Sequence, residues 1–313
     1  MITVLTRSIA EAAEFIRSGG IVAFPTETVY GLGADVFNAD AVAKIFEAKK
    51  RPADNPLIAH VSERGQIDML ARDVSVDANR LIEAFFPGPL TLVVPKTSRV
   101  PMIATAGLET IGVRMPSAKL AREFLKACGT PVAAPSANLS GRPSPTTWQA
   151  VLEDLDGRID CILQGEATDH GLESTVVDCT VTPPAILRLG SLSIEALRSV
   201  VPEIGIHRQD AAIAPRSPGL RYKHYAPNAR VVLVDSPSEI GADTGSAYIG
   251  LTEPVGEFAE TMVCGSVEDY AHTVFAFFRK CDKAGIDTIY CQMVSESGIG
   301  AALMDRLRRA ASH

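Results

Sequence analysis

The sequence predicts an α/β protein: one large unit on a twisted, mixed sheet flanked by helices, then a small α/β unit. Three observations carry this reading. Residues 1 to about 200 alternate short apolar runs with segments of helical period. Prolines break those runs at Pro87, Pro89, Pro95, Pro101, Pro116, Pro131 and Pro135, which suits irregular connections better than a regular βαβ ladder. Finally, Pro202–Asn228 has no apolar face, and about 85 residues of renewed strand–helix alternation follow it. A unit of that size can fold alone. The chain therefore divides into 1–201, a linker at 202–229, and 230–313.

In order along the chain, Ser8 and Glu11 form a capping-box pair. Ala12, Phe15 and Ile16 share one helical face, and Gly19-Gly20 ends that helix. Strands are expected at Ile21–Phe24, Leu57–Val61, Leu90–Val94 and Ile111–Arg114, then at Val132–Ala134, Cys161–Gln164, Ser174–Asp178 and Ala185–Leu189. Helices are expected at Asp40–Lys50, Val76–Phe86, Ala118–Cys128, Thr147–Leu155 and Ile194–Val200. Ser75, Ser117 and Ser193 suit N-caps. The small unit reads as strand Val231–Val234, strand Ala247–Ile249, helix Val267–Lys280, strand Thr288–Gln292 and helix Ala301–Ala310.

With 46% hydrophobic and 21% charged residues, the 313-residue chain forms an ordinary core. A net charge of -7 and a pI near 5.5 argue against non-specific nucleic-acid binding as the main task. The six cysteines contain no C-x-x-C pair and read as reduced, buried thiols. The N-terminal MITVLTRSIAEAA has no apolar signal core, and no apolar run approaches the roughly 20 residues that cross a bilayer. A cytoplasmic location without membrane contact is the expectation.

No P-loop, G-x-S-x-G elbow or H-x-x-x-H spacing is present. Gly31-x-Gly33 lacks the third glycine of a dinucleotide fingerprint, since Val36 stands there, and reads as a tight turn. The stretch Gly20–His60 is richer. An apolar strand breaks at Pro25 into Thr26-Glu27-Thr28, and a helix then ends in Lys49-Lys50-Arg51. Those cations either complement the helix C-terminus, for about 0.3–1 kcal/mol each, or hold phosphates. The stiff turn Arg51-Pro52-Ala53-Asp54-Asn55-Pro56 favours the second use. His60 and Arg114 each end a strand: taken alone His60 reads first as a satisfied core histidine, and Arg114 either as a surface ion pair or as a guanidinium fork for a carboxylate. Ser136-Ala137-Asn138 and Glu173-Ser174-Thr175 put short polar side chains at other strand ends, and Arg188 adds a cation.

In combination these segments resemble the YrdC-like family, the threonylcarbamoyl-AMP synthases, in its long two-domain form. The resemblance spans the chain. The family's Lys-x-Arg and Ser-x-Asn signatures stand as Lys49-Lys50-Arg51 and Ser136-Ala137-Asn138, and the linker carries Ser217-Pro218-Gly219-Leu220-Arg221-Tyr222-Lys223-His224-Tyr225. It implies a YrdC-like sheet around a concave basic cavity and a small Rossmann-like C-terminal unit. It also implies synthesis of L-threonylcarbamoyl-adenylate and pyrophosphate from L-threonine, bicarbonate and ATP. The product would pass to a tRNA threonylcarbamoyl-transferase complex for t6A modification, with direct tRNA contact left open. Carried over, Thr28, His60, Arg114, Ala134 (through its backbone) and Ser174 would hold threonine. Lys49, Arg51, Asn55, Thr110, Ser136, Asn138, Ser144, Arg188 and Tyr222 would line the ATP site. Lys49, Arg51 and His60 would be the catalytic set, His60 being the one titrating candidate for the base. Mg²⁺ would ride on the ATP phosphates, since no Asp/Glu pair stands out as a cage. Tyr222 would close over the nucleotide as part of a lid. Two other readings compete. One is a double-stranded RNA-binding module with a basic concave face. The other is a carbamoyl-phosphate-handling domain, whose usual accessory modules are not visible.

Overall fold

The computed structural model describes residues 2–206, 225–241 and 243–312. The larger sheet takes strands β1 (Val4–Thr6), β2 (Val22–Phe24), β3 (Gly31–Asp35), β4 (Ile58–His60), β5 (Leu90–Pro95) and β6 (Thr110–Arg114). It continues with β7 (Val132–Ala133), β8 (Cys161–Leu163), β9 (Thr175–Asp178), β10 (Ala185–Arg188) and β11 (Gly205–Ile206). Their spatial order is β1-β8-β2-β3-β7-β4-β6-β5-β9-β10-β11. The sheet is mixed, as expected: β4 runs parallel to β6 and antiparallel to β7, and β5 runs antiparallel to β6 and parallel to β9.

Helices α1 (Ile9–Arg17), α2 (Ala39–Lys49), α3 (Gly65–Leu70), α4 (Val76–Phe85), α5 (Lys119–Cys128), α6 (Trp148–Leu155) and α7 (Ile194–Val200) accompany this sheet. Their starts follow local chemistry. Ser8, Asn38, Ser75, Thr147 and Ser193 each accept a hydrogen bond from a backbone N–H in the first turn. Ser117 does not cap; Ala118 occupies that position in α5. Two apolar clusters account for most of the larger core, one around Tyr30, Leu32, Phe46 and Leu81, the other around Phe24, Phe124 and Ile16.

The Gly31-x-Gly33 segment is a strand, not a turn. A Cβ at Gly33 would sit 2.6 Å from Val132 Cγ1. The glycines there let β3 lie against β7, which carries the chain from Val132 into the Pro135–Asn138 loop.

The smaller sheet is wholly parallel: β12 (Arg230–Val234), β15 (Thr288–Gln292), β13 (Asp243–Gly250) and β14 (Phe258–Val263), in that spatial order. Helices α8 (Val267–Ala284) and α9 (Gly300–Ala311) pack with it around Tyr270, Phe275, Phe278 and Leu303. Leu172 and Leu189 from the larger unit join this cluster, so apolar contact is continuous between the two units. The six cysteines are buried. Among the described residues, no helix is long and apolar enough to cross a membrane.

Candidate active site

His60 and Arg114 end adjacent parallel strands, and the register of β4 and β6 sets them opposite each other. One imidazole and one guanidinium therefore share a strand-end ledge. The segment after β2 fixes the guanidinium. Arg114 Nη2 donates to Glu27 Oε1 at 2.6 Å, and Nη1 donates to Thr28 Oγ1 at 2.8 Å. Thr26 Oγ1 donates to the Val29 carbonyl at 2.7 Å and holds the turn between β2 and β3. Burial pushes the Glu27 carboxyl up, but the Arg114 charge and hydrogen bond outweigh it and hold the pKa below the usual carboxylate value. The pair is thus ionised, and the Arg114 fork is set before any ligand arrives.

His60 is driven the other way. Burial and the nearby Arg114 charge lower its pKa to about 3, so the ring is neutral near pH 7. The Phe24 ring meets it edge-on with centroids 5.9 Å apart. Among the described residues, His60 Nδ1 has no hydrogen-bond partner.

The basic helix end supplies the facing wall. Lys50 caps α2 in the left-handed region at φ 51° and is exposed. Its neighbours turn inward: Lys49 is 1% and Arg51 9% exposed. Lys49 Nζ donates to the Ser136 carbonyl at 2.5 Å and to the Asn138 carbonyl. Two of its three donors hold the loop after β7, which leaves one for a ligand. Burial first, and the Arg51 charge second, lower the Lys49 pKa well below the usual lysine value. Arg51 Nε and Nη2 donate to the carbonyls of Asn55 and Pro56, at 3.1 and 3.0 Å. Burial lowers its pKa to about 10, which leaves it charged at pH 7.

The remaining walls are hydroxyl-rich. Ser136 Oγ donates to Asn138 Oδ1 at 2.6 Å, and Asn138 Nδ2 donates to the carbonyls of Leu139 and Arg142 at 2.9 and 2.8 Å. Ser174 Oγ lies 2.8 Å from Thr91 Oγ1. Arg188 Nη2 donates to the Ser174 carbonyl at 2.9 Å. Gly190 makes that approach possible, because a Cβ there would meet the Ser174 backbone carbon at 2.3 Å.

Most of these groups border one cleft, Glu27 and Thr91 supporting it from behind. It holds about 710 Å³ of empty space, counting the part open to solvent. Of the expected residues, Thr28, Lys49, Arg51, His60, Arg114, Ala134, Ser136, Asn138, Ser144, Ser174 and Arg188 border it. Asn55 does not: its carbonyl serves Arg51, and among the described residues its buried Oδ1 has no partner. Thr110 is also absent from the lining. It starts β6, whereas Arg114 ends it, and it faces a separate small cleft with Thr91 and Val93. Tyr222 lies outside the described residues, and so does the lid expected of it. A wider groove of about 1200 Å³ beside Thr26 carries mixed charge, including Arg7, Lys119, Glu166 and Asp169, and lacks the inward cations.

Residues 14–190 match the family described as "Telomere recombination", and residues 192–312 match "Threonylcarbamoyl-AMP synthase, C-terminal domain". The threonylcarbamoyl-AMP synthase of Pyrococcus abyssi is 43% identical over 317 residues, covering 96% of this chain and 93% of the relative. The chain belongs to the threonylcarbamoyl-AMP synthase family. The Bacillus subtilis member is 41% identical, with 97% of this chain and 92% of the relative covered. The crystal structure of P. abyssi Sua5 complexed with L-threonine superposes with a TM-score of 0.91 at 42% identity, over 99% of this chain and 97% of that one.

Membership in this family replaces the RNA-binding reading, and burial gives the physical reason. Lys49 and Arg51 point into the cleft and cannot form an exposed basic face for phosphates of a duplex. Sequence reasoning assigned no role to Glu27, Thr91, Arg142, Glu173 or Tyr225. Tyr225, Arg142 and Glu173 line the cleft directly. The acid in Thr26-Glu27-Thr28 and the Glu173-Ser174 pair were visible signals, because acids beside expected substrate contacts need a cation partner. Nothing local marked Thr91.

Proposed function

We propose that this chain is an L-threonylcarbamoyladenylate synthase acting in tRNA t6A formation. One observation carries the proposal: a single cleft is bordered by His60 and Arg114 and also by Lys49, Arg51 and Arg188, groups that we read as a carboxylate corner and a phosphate corner. In this reading Arg114 binds the threonine carboxylate, and Thr28 and Ser174 take the hydroxyl and the nascent carbamate. A site that hydrogen-bonds a substrate hydroxyl rejects analogues lacking it by orders of magnitude.

The deprotonated amine attacks bicarbonate, giving carbamate and water. A carbamate oxygen then attacks the α-phosphorus of ATP, and the bond to the β,γ-phosphates breaks to release pyrophosphate. Lys49, Arg51 and Arg188 supply positive charge where it develops, with no covalent nucleophile required. Holding carbamate and ATP in line contributes about 7–11 kcal/mol through effective molarity. His60 is too weak a base in the unliganded cleft to store a proton at pH 7, so we assign its neutral ring to shaping the threonine corner rather than to deprotonating the amine.

Among the described residues no group of three or more His, Cys, Asp or Glu side chains is placed to hold a metal. Glu173, the carboxylate bordering the cleft, is bound to Ser144 and Arg306. We propose that Mg²⁺ arrives with ATP and is carried mainly by its phosphates. A cytoplasmic setting and transfer of the product to a tRNA-modifying complex belong to the same proposal. Pyrophosphate release from ATP and bicarbonate tests it: stimulation by threonine above serine supports the assignment, and equal release without an amino acid refutes it.

A further inference from the structure

Two buried arginines of the smaller unit connect to the loop from Asn138 to Ser144, Arg279 directly at Pro143 and Arg306 through Glu173. Arg306 of α9 is 1% exposed. Its Nε donates to Glu173 Oε2 at 2.9 Å and its Nη2 to the Leu189 carbonyl at 2.8 Å. Its guanidinium carbon lies 4.8 Å from the centroid of the Tyr225 ring. Glu173 Oε1 in turn accepts from Ser144 Oγ at 2.5 Å. Ser144, Glu173 and Tyr225 border the cleft, whereas Arg306 does not.

Arg279 of α8 repeats the arrangement nearby. Its Nη1 and Nη2 donate to Asp154 Oδ1 and Oδ2 at 3.1 and 2.9 Å, and Nη2 also donates to the Pro143 carbonyl at 2.5 Å. Asp154 accepts further bonds from the Leu139 N–H at 3.2 Å and from Arg142 Nη1 at 2.5 Å. The loop from Asn138 to Ser144 is therefore tied at its start through Asp154 and at its end through Pro143 and Ser144. Burying a guanidinium is costly unless its donors are filled. Here each guanidinium is met by one carboxylate and one carbonyl of the other unit, with Asp305 of α9 also on Arg306; Arg279 Nε has no partner among the described residues, and Glu173 lies one bond away from the cleft hydroxyl of Ser144.

We propose that Arg306 and Arg279 are positioning residues, by which the C-terminal unit sets the nucleotide-facing loop: Arg306 through Glu173 and Ser144, Arg279 through Asp154 and Pro143. The assignment rests on the reading that Ser144 and Asn138 face ATP. It makes the smaller unit part of the ATP site without touching ATP.

The test uses the full chain with Arg306→Met, Arg306→Lys and Arg279→Lys. Calorimetry gives the Kd of a non-hydrolysable ATP analogue and of threonine, and turnover gives KM for ATP. The expected result for Arg306→Met is nucleotide binding weaker by about tenfold, the scale of one misplaced hydrogen bond to a charged ligand, with threonine Kd within about twofold. Arg306→Lys recovers part of the loss, because it keeps the charge on Glu173 but not the fork. Should Arg306→Met fail to fold, Arg279→Lys carries the same expected split. Unchanged nucleotide affinity in folded variants, or equal loss for both ligands, overturns the proposal. A wild-type chain without threonine-dependent pyrophosphate release would instead remove the proposed reaction, and the analogue Kd would still decide whether the arginines set a nucleotide site.

Discussion

His60 should make the folded chain sensitive to mild acid, because burial keeps its ring neutral. The residue is 4% exposed, beside Arg114, with a pKa lowered from 6.5 to about 3 by burial first and that charge second. The unfolded chain takes up a proton near pH 6.5, and the folded chain resists it down to about pH 3. Stability therefore falls as pH drops through this window, because the unfolded state binds more protons there. Its contribution is fully present above pH 6.5. Each pH unit below that costs about 1.4 kcal/mol, so a move from pH 7 to pH 5 costs about 2 kcal/mol from His60 alone. His60→Gln keeps a polar side chain without this titration. Urea unfolding can be followed by fluorescence of Trp148, the chain's single tryptophan, which opens α6 in the larger unit. The wild type should lose about 2 kcal/mol more than His60→Gln between pH 7 and pH 5. Equal losses would refute a neutral, buried His60.

Three further outcomes follow from the same geometry. Glu27→Gln leaves Arg114 buried without its carboxylate and should cost about 3–5 kcal/mol in denaturant unfolding; threonine affinity measured on the folded fraction should fall as well. Because the Glu27 pKa is lowered in the folded chain, its stabilisation is present above the ordinary carboxylate pKa and disappears as pH falls through the lowered value. An acid titration of wild type against Glu27→Gln should show the two converging in strong acid. Arg51→Ala should leave the circular dichroism spectrum unchanged and reduce pyrophosphate release by at least about a hundredfold, the scale of losing one preorganised charge at the phosphates; near-normal turnover removes Arg51 from the site.

Much of the fold was legible because its signals are local. Apolar runs of three to six residues marked the central strands, and Ser or Thr caps marked helix starts such as Val76 and Ile194. Strand β3 was misread because glycines usually report a turn, and only the approach of Val132 explains them. Strand β14 alternates in burial along Phe258–Val263, but its residues do not alternate apolar and polar, with Glu260 on the inner face and Val263 on the outer, so no period marked it in the sequence. The same contrast holds in the cleft. Lys49, Arg51, Ser136 and Asn138 lie in short segments whose residue types suit anions. Glu173 and Arg306 are 133 positions apart and Asp154 and Arg279 are 125 apart, so no window of sequence reveals either pair. Sequence shows which side chains a strand end offers, and topology decides which distant charge completes them.

The central claim is that one cleft holds an amino acid against a nucleotide. Its most direct test is a quench experiment with labelled threonine, bicarbonate and ATP, separating the adenylate product from free AMP. Threonylcarbamoyl-adenylate should form in equal amount with pyrophosphate and disappear in Arg114→Ala. Pyrophosphate released with AMP alone, or with no label in the nucleotide fraction, would contradict it.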